Sequence, residues 1–406
     1  MSGAEKLGIR EILRLPEVRA AMLGTFVIML GFGILAPVLP NYARSFGVGY
    51  DSVGLLISAF SFTRLVADPF VGRYIDRHGE RAMSTLGAVW VGVSSVAAAL
   101  APNFPLLVIL RAAGGVGSAL FFAALLSFLL RTIPTERQGR VMSVFFASFN
   151  LGFIAGGPLG GVMARWFGLA SPLYIYAAAC FVSGWMFWRT IHDPERHEHE
   201  DRRGGLRRLP WNRPFVTVLV VNGAYLWMVG AIFQTLVPLF GTEELGLTLS
   251  GVGIGLAIAT ATELIVLYPA GHATDHYGRR AVLIPALAGL ALSTAAFALT
   301  STTLTFMIAM GLLGVASGYA GVPPAPMLSD VTPEEMKGSA VAAFRFVGDL
   351  GFVLGPLVAG WSANAFKSFG PAFLISALPA VLALGLVLSI RETMTRIPKT
   401  GEAAGL

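Results

Sequence analysis

Six ionisable side chains interrupt stretches that are otherwise almost wholly apolar: Arg64, Asp68, Arg111, Glu263, Arg345 and Asp349. An ionised group near the centre of a bilayer costs at least roughly 2.5–3.5 kcal/mol, so each must face a partner or a water-filled cavity. Counting from the ends of the apolar runs sets Arg64, Glu263 and Asp349 nearest mid-depth, with Arg111 towards one side and Asp68 towards the other. A carboxyl in such a place can bind and release a proton. Low dielectric favours its neutral form, a nearby arginine its charged form, and a change of neighbours swings the balance. Asp349 and Glu263 are therefore candidates for proton coupling. Arg345 and Asp349 lie four apart on one helix face and can equally form a static ion pair.

The elements that hold these charges must be membrane helices. The chain has 406 residues, 55% of them hydrophobic and only 13% charged. Soluble domains carry roughly 25% charged residues, so this chain has too few to coat a water-facing surface. About 20 helical residues cross a 30 Å hydrocarbon core. Apolar runs of that size occupy about 20–42, 52–74, 82–101, 105–130, 139–164, 170–190, 214–240, 249–273, 281–300, 304–329, 338–363 and 370–391. The first run is longer than a signal-peptide core and has no small-residue cleavage site after it, which predicts a retained span. The fold expected is all-α and integral to the membrane, with about twelve spans.

Charge in the connections alternates. Arg10, Arg14 and Arg19, then Arg73, Arg77 and Arg81, then Arg131, Arg137 and Arg140, then Arg279 and Arg280 fall on one side. The opposite loops at 101–105 and 301–305 carry no charge, and Glu243 and Glu244 are acidic. Positive residues mark the cytoplasmic side, so both termini are expected there and the location is the cell membrane, multi-pass. The net charge of +6 follows from these loops and points to no nucleic-acid partner. Cys180, alone of its kind, can form no internal disulfide.

The chain also repeats itself. Gly72, Asp76, Gly79 and Arg81 return 199 residues later as Gly271, Asp275, Gly278 and Arg280. The same offset of 199 relates Val53–Gly54 to Val252–Gly253, Gly115–Val116 to Gly314–Val315, and Leu151–Phe153 to Leu350–Phe352. It also relates Arg64 to Glu263 and Asn150 to Asp349. Shared hydrophobicity would not keep glycines and carboxylates in one frame. Two parallel six-helix halves are expected: a bundle over 1–190, a cytoplasmic linker over 191–213, and a second bundle with a short tail over 214–406. Arg64 and Glu263 are expected to face each other, or a shared cavity, across the axis relating the halves. The linker's His192, His197 and His199 read as a solvated tract, with no metal site.

The run from Asp68 to Arg81 resembles the signature between the second and third helices of the major facilitator superfamily, matching it at Gly72, Asp76, Arg77, Gly79 and Arg81. Glu80 departs from it, since a basic residue is usual there. Leu110–Gly117, chiefly Arg111, Gly115 and Gly117, is similar to the fourth-helix motif of the twelve-span drug:proton antiporters; Gly152–Gly161 is similar to their fifth-helix motif, with Pro158 one place late. The resemblance implies a transporter working by alternating access. It implies that Asp76 and Arg77 latch the halves on the cytoplasmic side in the outward-facing state, Asp76 capping the eleventh span near Gly338. It also implies that Arg111 modulates protonation or contacts substrate. Many such antiporters carry an acidic residue in the first span; 24–40 has none here.

Residues on spans expected by resemblance to line the cavity are Phe26, Phe32, Phe122, Asn150, Tyr225, Phe233, Gln234 and Tyr319. Gly152, Gly156, Gly351 and Gly355 read as close-packing positions, Pro158 and Pro356 as kinks, and Pro323, Pro324 and Pro326 as a distortion of the tenth span. The function expected is proton-coupled efflux of amphipathic or lipophilic small molecules by a functional monomer that takes protons and a small-molecule substrate and needs no cofactor. Symport of a small metabolite or organic anion, and translocation of a lysolipid, are the alternatives. No phosphate-binding loop, metal constellation or nucleophile–base pair suggests an enzyme.

Overall fold

A computed structural model describes residues 16–133, 135–193, 209–333 and 336–393. Among them every regular element is helical. The first half holds α1 (Pro16–Leu35), α2 (Leu39–Arg44), α3 (Tyr50–His78), α4 (Glu80–Ala99), α5 (Phe104–Thr132), α6 (Thr135–Phe167) and α7 (Ser171–Thr190). The second holds α8 (Arg213–Met228), which runs through a π-helical stretch (Val229–Leu236) into α9 (Val237–Glu243), then α10 (Leu249–Tyr277), α11 (Arg279–Ala296), α12 (Thr303–Gly321), α13 (Pro324–Val331), α14 (Lys337–Phe366) and α15 (Phe369–Ser389). Among the described residues, eleven helical stretches are long and apolar enough to cross a membrane. The remaining run expected to span forms α7, a helix of 20 residues that several tyrosines and tryptophans make less apolar.

The sequence explains where helices start and break. Asn103 and Thr302, 199 residues apart, cap α5 and α12: Asn103 Oδ1 accepts from Leu106 N at 3.0 Å and Thr302 Oγ1 from Thr305 N at 3.2 Å. Gly79 (φ +90°) and Gly278 (φ +105°) make the sharp turns into α4 and α11. The expected distortion of the tenth span is a break between α12 and α13 at Val322–Pro323. The first predicted run likewise ends early, at Leu35, and resumes as α2 after Pro37.

Repeat partners do equivalent work with different residues. Asp193 Oδ1 accepts from Arg81 N at 2.9 Å, at the start of α4; its partner Glu392 accepts from Arg279 N at 2.9 Å and Arg280 N at 3.0 Å, at the start of α11. Helices α1–α7 pack chiefly on one another, as do α8–α15. Two helix pairs form most of the seam between them, α3 on α14 and α6 on α10, and these pairs exchange under the repeat. At the seam, Gly54 lies against the Pro356 carbonyl, and Gly253 against the carbonyl of Gly157. A side chain at either glycine would collide with backbone, so glycine sets how closely the halves approach. Of the linker expected over 191–213, residues 194–208 lie outside the described residues, with His197 and His199 among them; so do Arg10 and Arg14.

Candidate functional site: the charged seam between the halves

α3 and α14 run antiparallel, which turns the single charges of the sequence into a ladder. Ser58 Oγ donates to the Val353 carbonyl at 2.6 Å. Next along, Arg64 Nη2 lies 2.5 Å from Asp349 Oδ1, and then Arg345 Nη2 lies 3.2 Å from Asp68 Oδ2. The four charges form one cluster of two arginines and two carboxylates, which answers the demand that charges inside a membrane be paired. Arg64 also lies over the Phe352 ring, 5.8 Å from its centroid.

Two sequence expectations need correction here. Arg345 and Asp349 share a helix face, yet each takes its partner from α3, because the facing helix offers Asp68 and Arg64 at better reach than one turn of α14 does. Arg64 and Glu263, expected to face each other or a shared cavity, do not pair: Arg64 holds Asp349, and Glu263 Oε1 accepts from Tyr225 Oη at 2.8 Å, within the second half. The reason is again the seam, which brings α3 to α14 rather than to α10.

Arg111 is buried at 2% exposure with Nε and Nη1 lacking hydrogen-bond partners. It sits over the Phe60 ring at 4.6 Å, near Tyr176 and Cys180 of α7. No carboxylate accompanies it among its described neighbours.

Asp76 and Glu80 of the signature loop pair inside the first half. Asp76 Oδ1 lies 2.8 Å from Arg131 Nη2, and Glu80, buried at 3%, lies 3.1 Å from Arg131 Nη1 and accepts from Ser127 Oγ at 3.0 Å. In this conformation Asp76 is not engaged on α14, where the resemblance places it in the outward-facing state. The second half keeps the pairing with charges exchanged: Arg279 lies 2.8 Å from Asp330 and 3.6 Å from Asp275. Glu80 and Arg279 are repeat partners, as are Arg131 and Asp330. The departure of Glu80 from the family pattern is thus one member of a swapped ion pair.

Among the described residues, one end of the seam is closed by side chains of both halves. There Arg44 Nε lies 3.0 Å from Glu243 Oε1, Tyr50 Oη donates to Glu243 Oε2 at 2.5 Å, and Thr242 Oγ1 donates to Asn41 at 2.9 Å. Arg44 and Glu243 are themselves 199 residues apart, so this contact joins repeat partners directly across the axis. At the other end Gly72 and Gly271 have open space around them. A polar recess of about 300 Å³ lies there, lined by Asp68, Gly72, Asp76, Ser127, Arg131 and Arg345. Arg44 and Tyr50 were not singled out from the sequence, and Glu243 only as an acidic loop residue, although the offset that pairs Arg44 with Glu243 was the available signal.

The cavity candidates divide. Tyr225 meets Glu263; Phe233 and Gln234 are buried in the π-helical stretch, a form often found at functional sites. Phe32 packs on Phe153 and Tyr176 at 6.0 Å each, and Phe122 on Phe145 at 6.1 Å. Phe26 is half-buried. Asn150 Nδ2 donates back to the Phe146 carbonyl at 2.9 Å, and Tyr319 lines a different cavity, between α11 and α12.

Paired helical halves meeting at a charged seam are the geometry of a transporter, and the family model agrees: the Major Facilitator Superfamily model matches residues 21–262 and 226–405. The chain belongs to the major facilitator superfamily. It is a multi-pass membrane transporter, not an enzyme. It is 25% identical over 376 residues to multidrug resistance protein 1 of Bacillus subtilis, covering 90% of this chain and 93% of that one. Against the quinolone resistance protein NorA of Staphylococcus aureus it is 26% identical over 235 residues, 57% of this chain and 60% of the relative. A bacterial homologue of the human lysosomal transporter Spinster, solved inward-facing and occupied, has the same fold: TM-score 0.78, 13% identity, 92% of this chain and 95% of that one. The nucleoside transporter NupG shares the fold at TM-score 0.75 and 15% identity, over 92% and 98% of the two chains.

Proposed function

We propose that this transporter exports amphipathic or lipophilic small molecules in exchange for protons. Twelve spans, two six-helix bundles joined by a cytoplasmic linker, and cytoplasmic termini complete the reading, with the Glu243 end of the seam outside. The observation that carries it is the Arg64–Asp349 pair across the seam. While Asp349 is ionised and unoccupied it ties α3 to α14; a proton on Asp349, or a cationic substrate competing for its carboxylate, releases Arg64, so the halves rock outward with substrate and back with the proton. The inward-open form is then the one from which the proton has left, and substrate enters through the polar recess beside Asp68. Glu263, held by a neutral hydroxyl, is a second carrier within the second half, and Arg111 supports coupling from α5. The relatives named for multidrug and quinolone resistance favour lipophilic substrates, and the monomer holds every part of this device.

The test uses inverted membrane vesicles energised to an acidic interior, with a pH-sensitive dye and a panel of lipophilic cations. Export predicts that an added compound releases protons in wild type and not in Asp349→Asn. No release by any compound, with proton uptake driven by a metabolite in right-side-out vesicles, would sink the reading. One observation favours a second reading, import of an organic anion by symport: the buried Arg111 has guanidinium nitrogens without partners, and an anionic substrate would satisfy them. The direction of flux separates the two.

A further inference from the structure

The second half carries a cavity that the first half fills. A groove of about 810 Å³ runs between α11, α12 and the end of α10, along Tyr277, Pro285, Ala286, Gly289, Ala316 and Tyr319. α11 packs on α10, α12 and α15, all in its own half. The rim residues Leu292 and Leu312 are 70% and 57% exposed. The groove therefore opens away from the seam, onto the surface that faces hydrocarbon.

The repeat explains its origin. The partners of Ala286, Gly289 and Ala316 are Gly87, Trp90 and Gly117. In the first half Gly87 and Gly117 bring α4 and α5 into backbone contact. Trp90 lies over Gly117, its indole Nε1 donating to the Ala113 carbonyl at 2.8 Å. In the second half two alanine methyls stand where the glycines were, and Pro285 lies within α11. Gly289 offers no side chain at all: an added Cβ would find nothing nearer than Ala316 Cβ, at 3.5 Å. The indole that fills one half has no counterpart in the other.

Something must occupy this space inside a membrane. Unfilled, its walls forfeit dispersion contacts. A buried water needs two to four polar partners, and the Ser293 hydroxyl is already spent on the Leu290 carbonyl at 3.2 Å. Hydrocarbon is the medium at the open side. Tyr277, 65% exposed, stands at one mouth as an amphipathic ring suited to headgroup level. From Arg279, beside Tyr277, to Gly289 the helix α11 rises about 15 Å, comparable with the ~15 Å depth of one leaflet's hydrocarbon. We propose that the groove binds one acyl chain of a phospholipid from the leaflet at the Tyr277 end, cytoplasmic under the topology proposed above. The chain takes the place of Trp90 in the packing of α11 on α12.

The test takes the full chain in detergent micelles and adds phosphatidylglycerol carrying a nitroxide at mid-chain, read by electron spin resonance. Wild type is expected to hold about one more motionally restricted lipid per protein than Gly289→Trp, in which the indole occupies the groove; Gly289→Ala keeps the lipid. Added lipid should raise the melting temperature of wild type and leave that of Gly289→Trp unmoved. Should Gly289→Trp fail to fold, Ala316→Phe fills the groove from the opposite wall and is read in the same way. Equal restricted fractions in wild type and a folded filled variant would overturn the proposal. So would displacement of the labelled lipid by tetraphenylphosphonium but not by unlabelled phosphatidylglycerol, which would make the groove a substrate site.

Discussion

At the scale of single residues, charge is the economy of this molecule: few charges enter the apolar helices, and nearly all have found a partner. The Glu80–Arg131 pair shows how tightly such partners are matched. Removing one member of a buried ion pair costs about 3–5 kcal/mol, because the other is left buried and alone. Glu80→Arg alone is therefore expected to lower expression and melting temperature sharply. Glu80→Arg with Arg131→Asp rebuilds the second half's arrangement, where Arg279 sits between Asp275 and Asp330, and should recover most of the loss. Melting curves of the two purified variants check this; a double variant no better than the single would show that the repeat's swapped charges are not interchangeable. The outer pair is weaker. Arg44 and Glu243 keep side-chain exposures of 33% and 27%, and partly exposed pairs contribute about 0.2–1 kcal/mol. Glu243→Gln should shift the balance of outer-closed and outer-open forms by roughly two- to fivefold, read by cysteine accessibility at Ser45.

Among the elements, glycine decides where helices meet. Gly54 and Gly253 set the two seam contacts, one on each side of the axis. A valine at Gly253 would strike the Gly157 carbonyl, and overpacking of this kind costs about 1–3 kcal/mol. Gly253→Val is expected to disfavour the outer-closed form by roughly fivefold or more while leaving helix content unchanged, measured by accessibility at Ser45 beside circular dichroism. The elements were the most legible part of the sequence. Spans follow from apolar length and the break at Pro323 from proline, whereas the break beside Pro37 falls inside a run expected to be one span. The repeat was legible too, since glycines and carboxylates keep their frame across 199 residues. What sequence could not supply was which helix faces which. Arg345 and Asp349 look like a pair at four-residue spacing, and Arg64 and Glu263 look like one by symmetry; the antiparallel seam of α3 and α14 gives Arg64, Arg345 and Asp349 other partners, and Glu263 is left to Tyr225. The groove beside Gly289 was invisible for the same reason, being an absence that shows only when set against Trp90.

On the scale of the whole molecule, the two halves are held by a small number of contacts with different strengths along one seam. The Glu243 end is joined by partly exposed groups, the middle by the paired charges of Arg64 and Asp349, and beyond Asp68 a polar recess opens beside Gly72. Such a seam can pivot about its middle, and the charge state of Asp349 is the switch we propose there. The direct measurement is the distance across the Glu243 end, by double electron–electron resonance between spin labels at Ser45→Cys and Glu244→Cys with the buried Cys180 replaced by alanine. Wild type at neutral pH should give one short distance, with a longer population growing in as the pH falls, and Asp349→Asn should show the longer population already at neutral pH. The same short distance in both proteins at every pH would contradict the claim that a proton on Asp349 unties the halves.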